Sequence, residues 1–582
     1  MLPAMYGRSL DRDGIDVFRG INKSPRIAEN EFADMKNMSG EEYPCITTRQ
    51  PRGVLRSIKK PNGMIANGAL AWVDGSTFWY NNTPTNVIVS DGPKTMVNMG
   101  AYIVIFPDKV RYNTVKNEWD YLGNTYEGGA EAEICTLSGD PYAYETTKPS
   151  APTDGQYYLD TEANALYVFS AALDQWQSVP TVYVKVSAAN IGAGFKANDG
   201  VTFSGLGALD GTHVIRKVAA DNSFVVITGI IPQKISATSG VTLTRKVPNL
   251  DYVCEQNNRL WGCRYGQQGD AYVNEIYACA LGDPTNWHQF DGTSMDSYTV
   301  NLGSAGAFTG MTSHLGYVMA FKEEVIHKLY GNYPANFQVA DTRARGVALG
   351  SSKSIAITQE QLIYLSPTDV CVMGTGLPSG ASDALSAMDL RNGVGGIYER
   401  KYYLGCKDRD GNNHLLVYDT DNNIWYREDD IEVLYAASCD GDLYLIANAT
   451  INKKRGCYLF SVSGNKDRYS DGGGDDGVMS TEDVNGWSLE SGLIGLKYPE
   501  HKYISQIMIR LEALDDATIS CDVMYDNEDE WRNVYEQSVK KKDNVRISVR
   551  PRHCDTMRYR LSGTGKVRLY SIVKHTETAE EW

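Results

Sequence analysis

Short apolar or alternating segments, each followed by a turn residue, recur along almost the whole chain. Examples are 68–73, which ends before Asp74, and 415–418, which ends before Asp419. The three-to-four-residue period that marks amphipathic helices is nearly absent. Because βαβ units need such helices, the pattern predicts an all-β fold: a propeller, a solenoid or a set of sandwiches.

The composition fits this fold class and reduces the number of function classes that the chain could belong to. Gly contributes 55 and Tyr 37 of the 582 residues, and these types favour tight turns and strands respectively. The net charge of −16, from 56 Lys and Arg against 72 Asp and Glu, disfavours a general binder of nucleic acid or of anionic lipid. The 11 Cys form no CxxC pair, which argues against a zinc ribbon or a disulfide framework and favours a reducing compartment.

A weak internal repeat predicts a recurring hairpin. Each copy has a strand that ends in an aromatic residue, a turn rich in Asn or Asp, and a strand that starts near Trp. The two aromatic side chains are expected to meet across the hairpin. Such hairpins form the outer half of a propeller blade, and a generic hairpin used four times is the alternative. The four pairs are Tyr112 with Trp119, Phe169 with Trp176, Tyr418 with Trp425, and the shorter Tyr525 with Trp531.

The central part of the chain is predicted to be a discontinuous propeller-like domain over 56–130 and 247–484. At roughly 40–50 residues per blade, its length allows about six to eight blades. A Pro-rich stretch at 148–152 and a Gly-dense stretch at 192–211 set 131–246 apart from it. This segment is therefore predicted to be an inserted small β domain.

The two ends of the chain are predicted to fold differently from this domain. Residues 1–55 form an N-terminal strap that is mainly extended. A short helix is predicted within it over Asn30–Met38, because Phe32 and Met35 would share one face. In 485–582 apolar and polar residues alternate with a period of two, which predicts a C-terminal β-sandwich.

The sequence carries no convincing catalytic signature. GxSxG and HExxH motifs are absent, and the eight His are dispersed, with His288 and His327 each alone. Residues 472–477 match GxGxxG formally, but the neighbouring Asp side chains would repel a phosphate. The sequence therefore predicts a protein that is not an enzyme and that has no catalytic residues, no cofactor and no metal.

Two segments leave a ligand open as an alternative. The acidic loop 471–484 could bind Ca²⁺, but its spacing matches no EF-hand and favours a solvated loop. The stretch 258–287 could present Trp261 and Trp287 as a platform for sugars, but ordinary strand residues flank them and favour core positions. The oxygen ligands that the acidic loop offers are Asp471, Asp475, Asp476, Glu482 and Asp483.

Three blocks of the sequence resemble structural tail proteins of tailed bacteriophages. The resemblance is to β-propeller proteins of the tail nozzle or hub, which are often called stabilisation proteins. It rests on the order of strands and turns over most of the chain. The first block consists of Arg19–Ile27, Phe32 and 43–49. The second consists of Asn258–Trp261, Ile276–Tyr277 and 282–290, and continues to Phe321–Lys322 and Tyr330–Gly331. The third is Tyr503–Ile572.

The resemblance implies a virion structural protein without catalytic residues. It implies a ring of copies, commonly six, around the axial channel through which genome DNA passes during ejection without specific binding. The implied partners are other copies and other tail or head-to-tail proteins, assembled in the host cytoplasm without membrane insertion. Two alternatives stay open: a carbohydrate-binding or glycan-cleaving propeller that contacts the host surface, and a general interaction scaffold of cellular origin.

Candidate subunit-interface residues come from both ends of the chain. Lys and Arg crowd the last strands, and alternation places Arg546 with Arg550, and Arg558 with Arg560, on outward faces. Together they predict a basic stripe that docks on an acidic surface of the next subunit; DNA phosphates or a solvated sheet face are the alternatives. Residues 14–50 of the strap, with apolar Ile21 and Ile27, are predicted to run across the propeller and onto a neighbouring copy or tail partner.

Overall fold

The computed structural model describes residues 9–269, 271–471, 480–482, 484, 486–497, 502–526, 528–549, 552 and 554–578. The chain folds as two compact units. Unit 1 consists of the described parts of Met1–Pro93, Phe321–Ile326 and Thr342–Trp582, and unit 2 of the described parts of Lys94–Ala320 and His327–Asp341. Within the described ranges, no helix has the length and the apolar character that a membrane span requires.

Seven antiparallel sheets, numbered here as blades 1 to 7 in chain order, form the propeller-like part of the described chain. Blade 1 consists of Pro61–Ala66, Leu70–Asp74, Thr77–Tyr80 and Thr83–Ile88, and blade 2 of Thr95–Met99, Tyr102–Phe106, Val110–Asn113 and Glu118–Tyr121. Blade 3 consists of Tyr252–Gln256, Arg259–Gln268, Ala271–Ala278 and Tyr298–Asn301, and blade 4 of Gly310–His314, Tyr317–Phe321, Val325–Tyr330 and Gln338–Arg343. Blade 5 consists of Ala356–Thr358, Gln361–Leu365, Val370–Met373 and Ser379–Gly380, and blade 6 of Arg391–Tyr398, Lys401–Lys407, Asn413–Asp419 and Ile424–Asp429.

Blade 7 combines the two ends of the propeller-like sequence. Its first three strands are Glu432–Cys439, Asp442–Ile451 and Lys454–Ser461. The fourth, Gly53–Ser57, comes from the N-terminal segment and also pairs with the short strand Ser480–Thr481. This sheet therefore ties residues near the start of the chain to residues more than 400 positions later.

The inserted domain begins at Asn124 rather than at residue 131, because its first strand pairs with its last from Asn124 opposite Arg245. A closed barrel is formed by Asn124–Cys135, Tyr183–Ser187, Phe224–Thr228, Gly211–Val218, Gly200–Ser204 and Ile235–Arg245. A small sheet of Tyr144–Glu145, Tyr157–Asp160, Ala165–Ser170 and Gln175–Ser178 accompanies it. Inward-facing aliphatic side chains such as Val184, Val225 and Leu243 fill the barrel core.

The C-terminal sandwich consists of two sheets that also contain N-terminal strands. The sheet called A here consists of Ser9–Ile15, Met38–Ser39, Ile46–Thr48, Val567–Thr578, Lys502–Ala513 and Lys542–Ser548. Sheet B consists of Phe32–Lys36, Trp487–Ser491, Met557–Thr564, Ala517–Tyr525 and Arg532–Val539. The expected alternation places Ile547 of sheet A and Tyr559 of sheet B in one shared core.

The all-β fold class, with a propeller-like centre, an inserted β domain and a C-terminal sandwich, is confirmed. The helix predicted over Asn30–Met38 is wrong, because Phe32–Lys36 is a strand that pairs with Trp487–Ser491. Asn37 then adopts a left-handed φ of 55°, which a regular helix does not allow. The few helical turns in the described residues are 3₁₀ helices at Gly207–Leu209, Pro334–Asn336, Ser352–Ser354 and Asp383–Met388.

The strap is not a separate element. Besides its strands in both sandwich sheets, Ile21 donates its backbone N–H to the carbonyl oxygen of Trp425 in blade 6 at 2.8 Å. Asn37 makes the same kind of bond to Glu428 at 2.6 Å. The groove that receives the strap is therefore formed by other parts of unit 1.

Three of the four predicted aromatic hairpins are confirmed. Their aromatic residues face each other across the hairpin as Tyr112–Trp119, Phe169–Trp176 and Tyr418–Trp425. The first and third form the outer halves of blades 2 and 6, whereas the second lies in the small inserted sheet. Tyr525 and Trp531 differ: Tyr525 pairs with Met557, and Trp531 precedes the next strand.

Candidate functional site

The arginines of the predicted basic stripe lie on different sheets. Arg546 belongs to the outward face of sheet A and is exposed. Arg558 and Arg560 lie on sheet B, where they face Glu490 at 3.7 Å and Asp522 at 3.0 Å. Because the inner faces of the two sheets share one core, their outer faces point apart. The arginines therefore do not form one continuous stripe, and Arg550 lies outside the described residues.

The apolar candidates of the strap contact their own chain. Ile21 is 1% exposed and belongs to the core of unit 1. Ile27 is half-buried and packs so closely on Gly492 that a Cβ there would lie 2.3 Å from Ile27 Cγ1. Ile21 is thus a core residue rather than a surface residue, because the receiving groove is supplied by unit 1 itself.

A buried charge cluster joins the strap to the segment that follows the acidic loop. Arg49 and Arg52 have side chains only 3% and 1% exposed. Both donate hydrogen bonds to Glu482, from Arg49 Nη1 at 2.9 Å and from Arg52 Nε at 3.0 Å. Both also pair with Asp429, at the end of the last strand of blade 6. The cluster therefore binds three distant stretches of unit 1 with charge-assisted hydrogen bonds.

The cluster shifts the pKa of its carboxyl groups in opposite directions. Burial raises the pKa of Glu482, but the charges of Arg52 and Arg49 outweigh burial and hold it well below its ordinary value. Burial dominates at Glu428 and raises its pKa, although both arginines oppose this. Glu482 is thus held ionised, while Glu428 is the more easily protonated acid of the two.

The structure gives little support to the Ca²⁺ site that the sequence left open at the acidic loop. Both carboxylate oxygens of Glu482 accept hydrogen bonds from the arginines. Asp475, Asp476 and Asp483 lie outside the described residues. Among the residues that are described, no group of three or more His, Cys, Asp and Glu side chains is placed to hold a metal ion.

A cavity in unit 2 lies between the barrel ends and blades 2 and 3. Its volume is about 910 Å³. Tyr121 and Phe290, which are 52% and 53% exposed, line it. The polar lining includes Asn124, Thr125, Thr244, Asn249, Glu275 and Thr299. A concave site with aromatic surfaces and several neutral polar groups is suited to a small polar ligand.

Three ionisable groups in this cavity have shifted pKa values. Burial, followed by the neighbouring Glu275 carboxylate, raises the pKa of Tyr277. Burial lowers the pKa of Lys109, whose Nζ donates to the carbonyl oxygen of Val247 at 2.7 Å. Burial also lowers the pKa of His288, so its imidazole is neutral at pH 7.

The platform considered from the sequence does not form. Trp287 is 1% exposed, and its Nε1 donates to the carbonyl oxygen of Pro284 at 2.8 Å. Trp261 is 4% exposed and packs edge to face on Phe337, with ring centroids 5.0 Å apart. The exposed aromatic rings of the cavity are instead those of Tyr121 and Phe290. Tyr121 ends a strand and Phe290 lies in a loop, and no sequence pattern connects the two.

Comparisons with known proteins identify no relative by sequence. No family model matches the chain, and no curated protein matches it. Among solved structures, a Trypanosoma rangeli sialidase bound to 2,3-difluorosialic acid is similar over 98% of this chain and 96% of its own, with 10% identity and a TM-score of 0.24. The phage phi92 endosialidase covers 73% of this chain and 72% of its own, with 10% identity and a TM-score of 0.24. A puromycin-hydrolysing peptidase of Mycobacterium tuberculosis covers 76% and 61%, with 9% identity and a TM-score of 0.30.

Proposed function

We propose that the chain is a structural component of a phage virion tail. In this proposal it forms a nozzle-like or hub-like ring of copies around the DNA channel. In this tail role it acts by assembly and by allowing genome passage, not by catalysis. The proposed partners are further copies, six in a ring, and the adjoining tail or head-to-tail proteins.

The observation that carries the proposal is the way the strap is fixed inside unit 1. Its strands complete sheet A, sheet B and blade 7, and Arg49 and Arg52 anchor it through Asp429 and Glu482. Ladder hydrogen bonds and buried ion pairs between distant segments resist separation of the parts that they join. Such a protomer is suited to a tail, where a ring must keep its shape while DNA passes.

The electrostatics support the same proposal. A net charge of −16 gives a surface that repels a DNA strand overall, so that passage is not slowed by adhesion. Arg546 is the predicted interface arginine that stays exposed on an outer sheet face. We therefore propose Arg546 as a contact to an acidic surface of the next subunit.

The experiment is to measure the mass of the purified full chain in solution and to image it by negative-stain electron microscopy. We expect closed rings at micromolar concentration. The variant Arg546→Glu should reduce the ring fraction, while its thermal transition stays that of the wild type. Lys540→Glu is the matched control, because Lys540 is an exposed cation of the same sandwich. A monomer at every concentration would contradict the ring.

A second candidate function, carbohydrate binding, is favoured by the cavity with Tyr121 and Phe290 at its surface. Aromatic faces next to amide and hydroxyl groups suit the apolar faces and hydroxyls of a saccharide. Saturation-transfer NMR with a panel of bacterial surface oligosaccharides tests it. Binding that is lost in Phe290→Ala but kept in Tyr333→Ala, an exposed aromatic outside the cavity, would support it. If none of the saccharides gives a saturation-transfer signal, carbohydrate binding is ruled out as the second function.

A further inference from the structure

Ser304, His327 and Asp341 of unit 2 form a hydrogen-bonded chain of three side chains. The Oγ of Ser304 lies 2.9 Å from Nε2 of His327. The Nδ1 of the same imidazole lies 2.5 Å from Oδ1 of Asp341. A carboxylate only accepts hydrogen bonds, so Nδ1 carries the proton, and Nε2 accepts from the serine hydroxyl when the ring is neutral. This is the connectivity of a serine nucleophile with its general base and the carboxylate that orients the base.

The surrounding fold holds this geometry in place. His327 lies in the third strand of blade 4 and its side chain is fully buried, so the ring has little freedom to rotate. The loop that carries Ser304 is fixed by Asn274, whose Nδ2 donates to the carbonyl oxygens of Leu302 at 2.8 Å and of Ser304 at 2.7 Å. Asp341 lies in the fourth strand of the same blade. Two strands and a clamped loop therefore set the three positions.

The serine is also within reach of a substrate. Ser304 is half-buried, and the loop residues on either side, Gly303 and Ala305, are exposed. A substrate can thus approach from the solvent side of the loop while the imidazole remains covered by protein. Asp341 is 54% exposed, so water competes for its carboxylate and orients the imidazole less firmly than a buried carboxylate would. This predicts a slow reaction.

We propose that Ser304 is the nucleophile of an acyl-transfer site that hydrolyses carboxylic esters. Ser304 Oγ forms a bond to the acyl carbon while its proton passes to His327 Nε2. The tetrahedral intermediate collapses, the ester C–O bond breaks, and the leaving alcohol takes the proton from His327. Water then attacks the acyl-serine through the same base, which releases the carboxylic acid and restores the serine. The proposal is independent of the tail function.

The direct test is covalent labelling of the full chain with a fluorophosphonate probe, which forms an adduct only with an activated serine. We expect a single adduct by intact mass and its location on Ser304 by peptide mapping. Labelling should slow as the pH falls, because protonated imidazole cannot accept the serine proton. A parallel assay follows slow release of p-nitrophenolate from a p-nitrophenyl ester.

Variants separate an activated serine from a purely structural hydrogen-bond network. Ser304→Ala should abolish the adduct, and Asp341→Asn, which favours the wrong imidazole tautomer, should slow labelling by at least about 100-fold. Ser379→Ala should label like the wild type, because Ser379 is exposed and donates to a backbone carbonyl instead of to a histidine.

A gain-of-reactivity variant keeps the test valid if one of these proteins is unstable. Ser304→Cys should react with iodoacetamide faster than Ser379→Cys, since only the former thiol has an adjacent base. The proposal is overturned if the wild type gives no adduct under conditions that label a serine esterase. It is equally overturned if the adduct persists in Ser304→Ala, or if Asp341→Asn labels at the wild-type rate.

Discussion

The Nε of Arg52 donates a 3.0 Å hydrogen bond to Oε2 of Glu482, a residue 430 positions further along the chain. Arg52 precedes the strand that completes blade 7, and Glu482 precedes the first C-terminal strand of sheet B. The bond therefore fixes the entrance of the chain into the propeller-like part next to its exit towards the sandwich. Breaking it removes a buried side-chain link beside the ladder in which Thr481 pairs with Gly53.

We expect Arg52→Ala to destabilise the protein strongly. The variant leaves Glu428, Asp429 and Glu482 with one cation fewer in a buried setting, and loss of one partner of a buried ion pair costs about 3–5 kcal/mol. Arg391→Ala is the matched control, because Arg391 pairs with Asp389 at the surface, where such pairs contribute about 0–1 kcal/mol. Urea unfolding of both variants measures the difference. Equal small losses would contradict a structural role of the cluster.

The stabilising effect of Glu482 should depend on pH. Its folded-state pKa lies below its unfolded value, so its contribution is present above the ordinary glutamate pKa of about 4.3 and is lost as the pH falls towards the depressed value. We expect the difference in unfolding free energy between wild type and Glu482→Gln to be large at pH 7 and to shrink below pH 4. Denaturant unfolding at several pH values tests this. A difference that stays constant down to pH 3 would exclude the ionised carboxylate as its source.

The sequence predicts the local features of this fold well. The turn asparagines of the aromatic hairpins, Asn117 and Asn423, have left-handed φ values of 57° and 56°, as short polar turns require. Alternation in the C-terminal strands correctly separates core positions such as Ile547 from outward positions such as Arg546. Both features depend on neighbours within a few residues, which the sequence displays directly.

Long-range pairing is what the sequence does not reveal. Phe32–Lys36 reads as a helix because its partner strand, Trp487–Ser491, lies at the other end of the chain. Residues of the candidate sites are hidden for the same reason. Ser304, His327 and Asp341 stand apart in the sequence, and only the pairing within blade 4 and the clamped loop bring their side chains together. No sequence motif with a fixed spacing identifies these three residues as a group.

The hairpin turn of blade 6 gives a local prediction. Asn423 combines a left-handed backbone with a 2.5 Å hydrogen bond that its Oδ1 accepts from Tyr418 Oη. Both Asn423→Ala and Asn423→Gly remove this bond, but Ala keeps a Cβ on a left-handed backbone that Gly adopts without strain. We expect Ala to be about 1 kcal/mol more destabilising than Gly. Thermal unfolding compares the two. A more stable Ala variant would contradict the turn geometry.

The inserted domain should be removable. Asn124 and Arg245 face each other across the first and last strands of the barrel, so a short Gly-Ser linker can replace 124–245 without stretching the chain. We expect the remaining protein to unfold cooperatively. A moderate loss of stability is expected, because the 3.0 Å bond from the Gly200 amide to Asn286 Oδ1 is lost. Circular dichroism and thermal melts test this, and the excised segment made alone should also be β-rich. Aggregation of the shortened protein would show that its propeller-like sheets need the insertion.

The last prediction tests how far blade 6 holds the strap. Gly20 has φ +71°, and a Cβ there would lie 2.1 Å from the backbone oxygen of Trp425. Backbone cannot yield as a side chain can, so Gly20→Ala should displace the strap from blade 6. Gly75→Ala is the matched control, because Gly75 has φ +63° but nothing within 4 Å of the added methyl.

Gly75→Ala should lose only about 1–2 kcal/mol of left-handed strain, and Gly20→Ala clearly more. Limited proteolysis should also cut Gly20→Ala within 14–50 under conditions in which Gly75→Ala stays intact, because a displaced strap exposes its backbone. If both variants of the isolated protomer show the same stability and the same cleavage pattern, blade 6 does not hold the strap. The strap is then held mainly by its strands in sheet A, sheet B and blade 7.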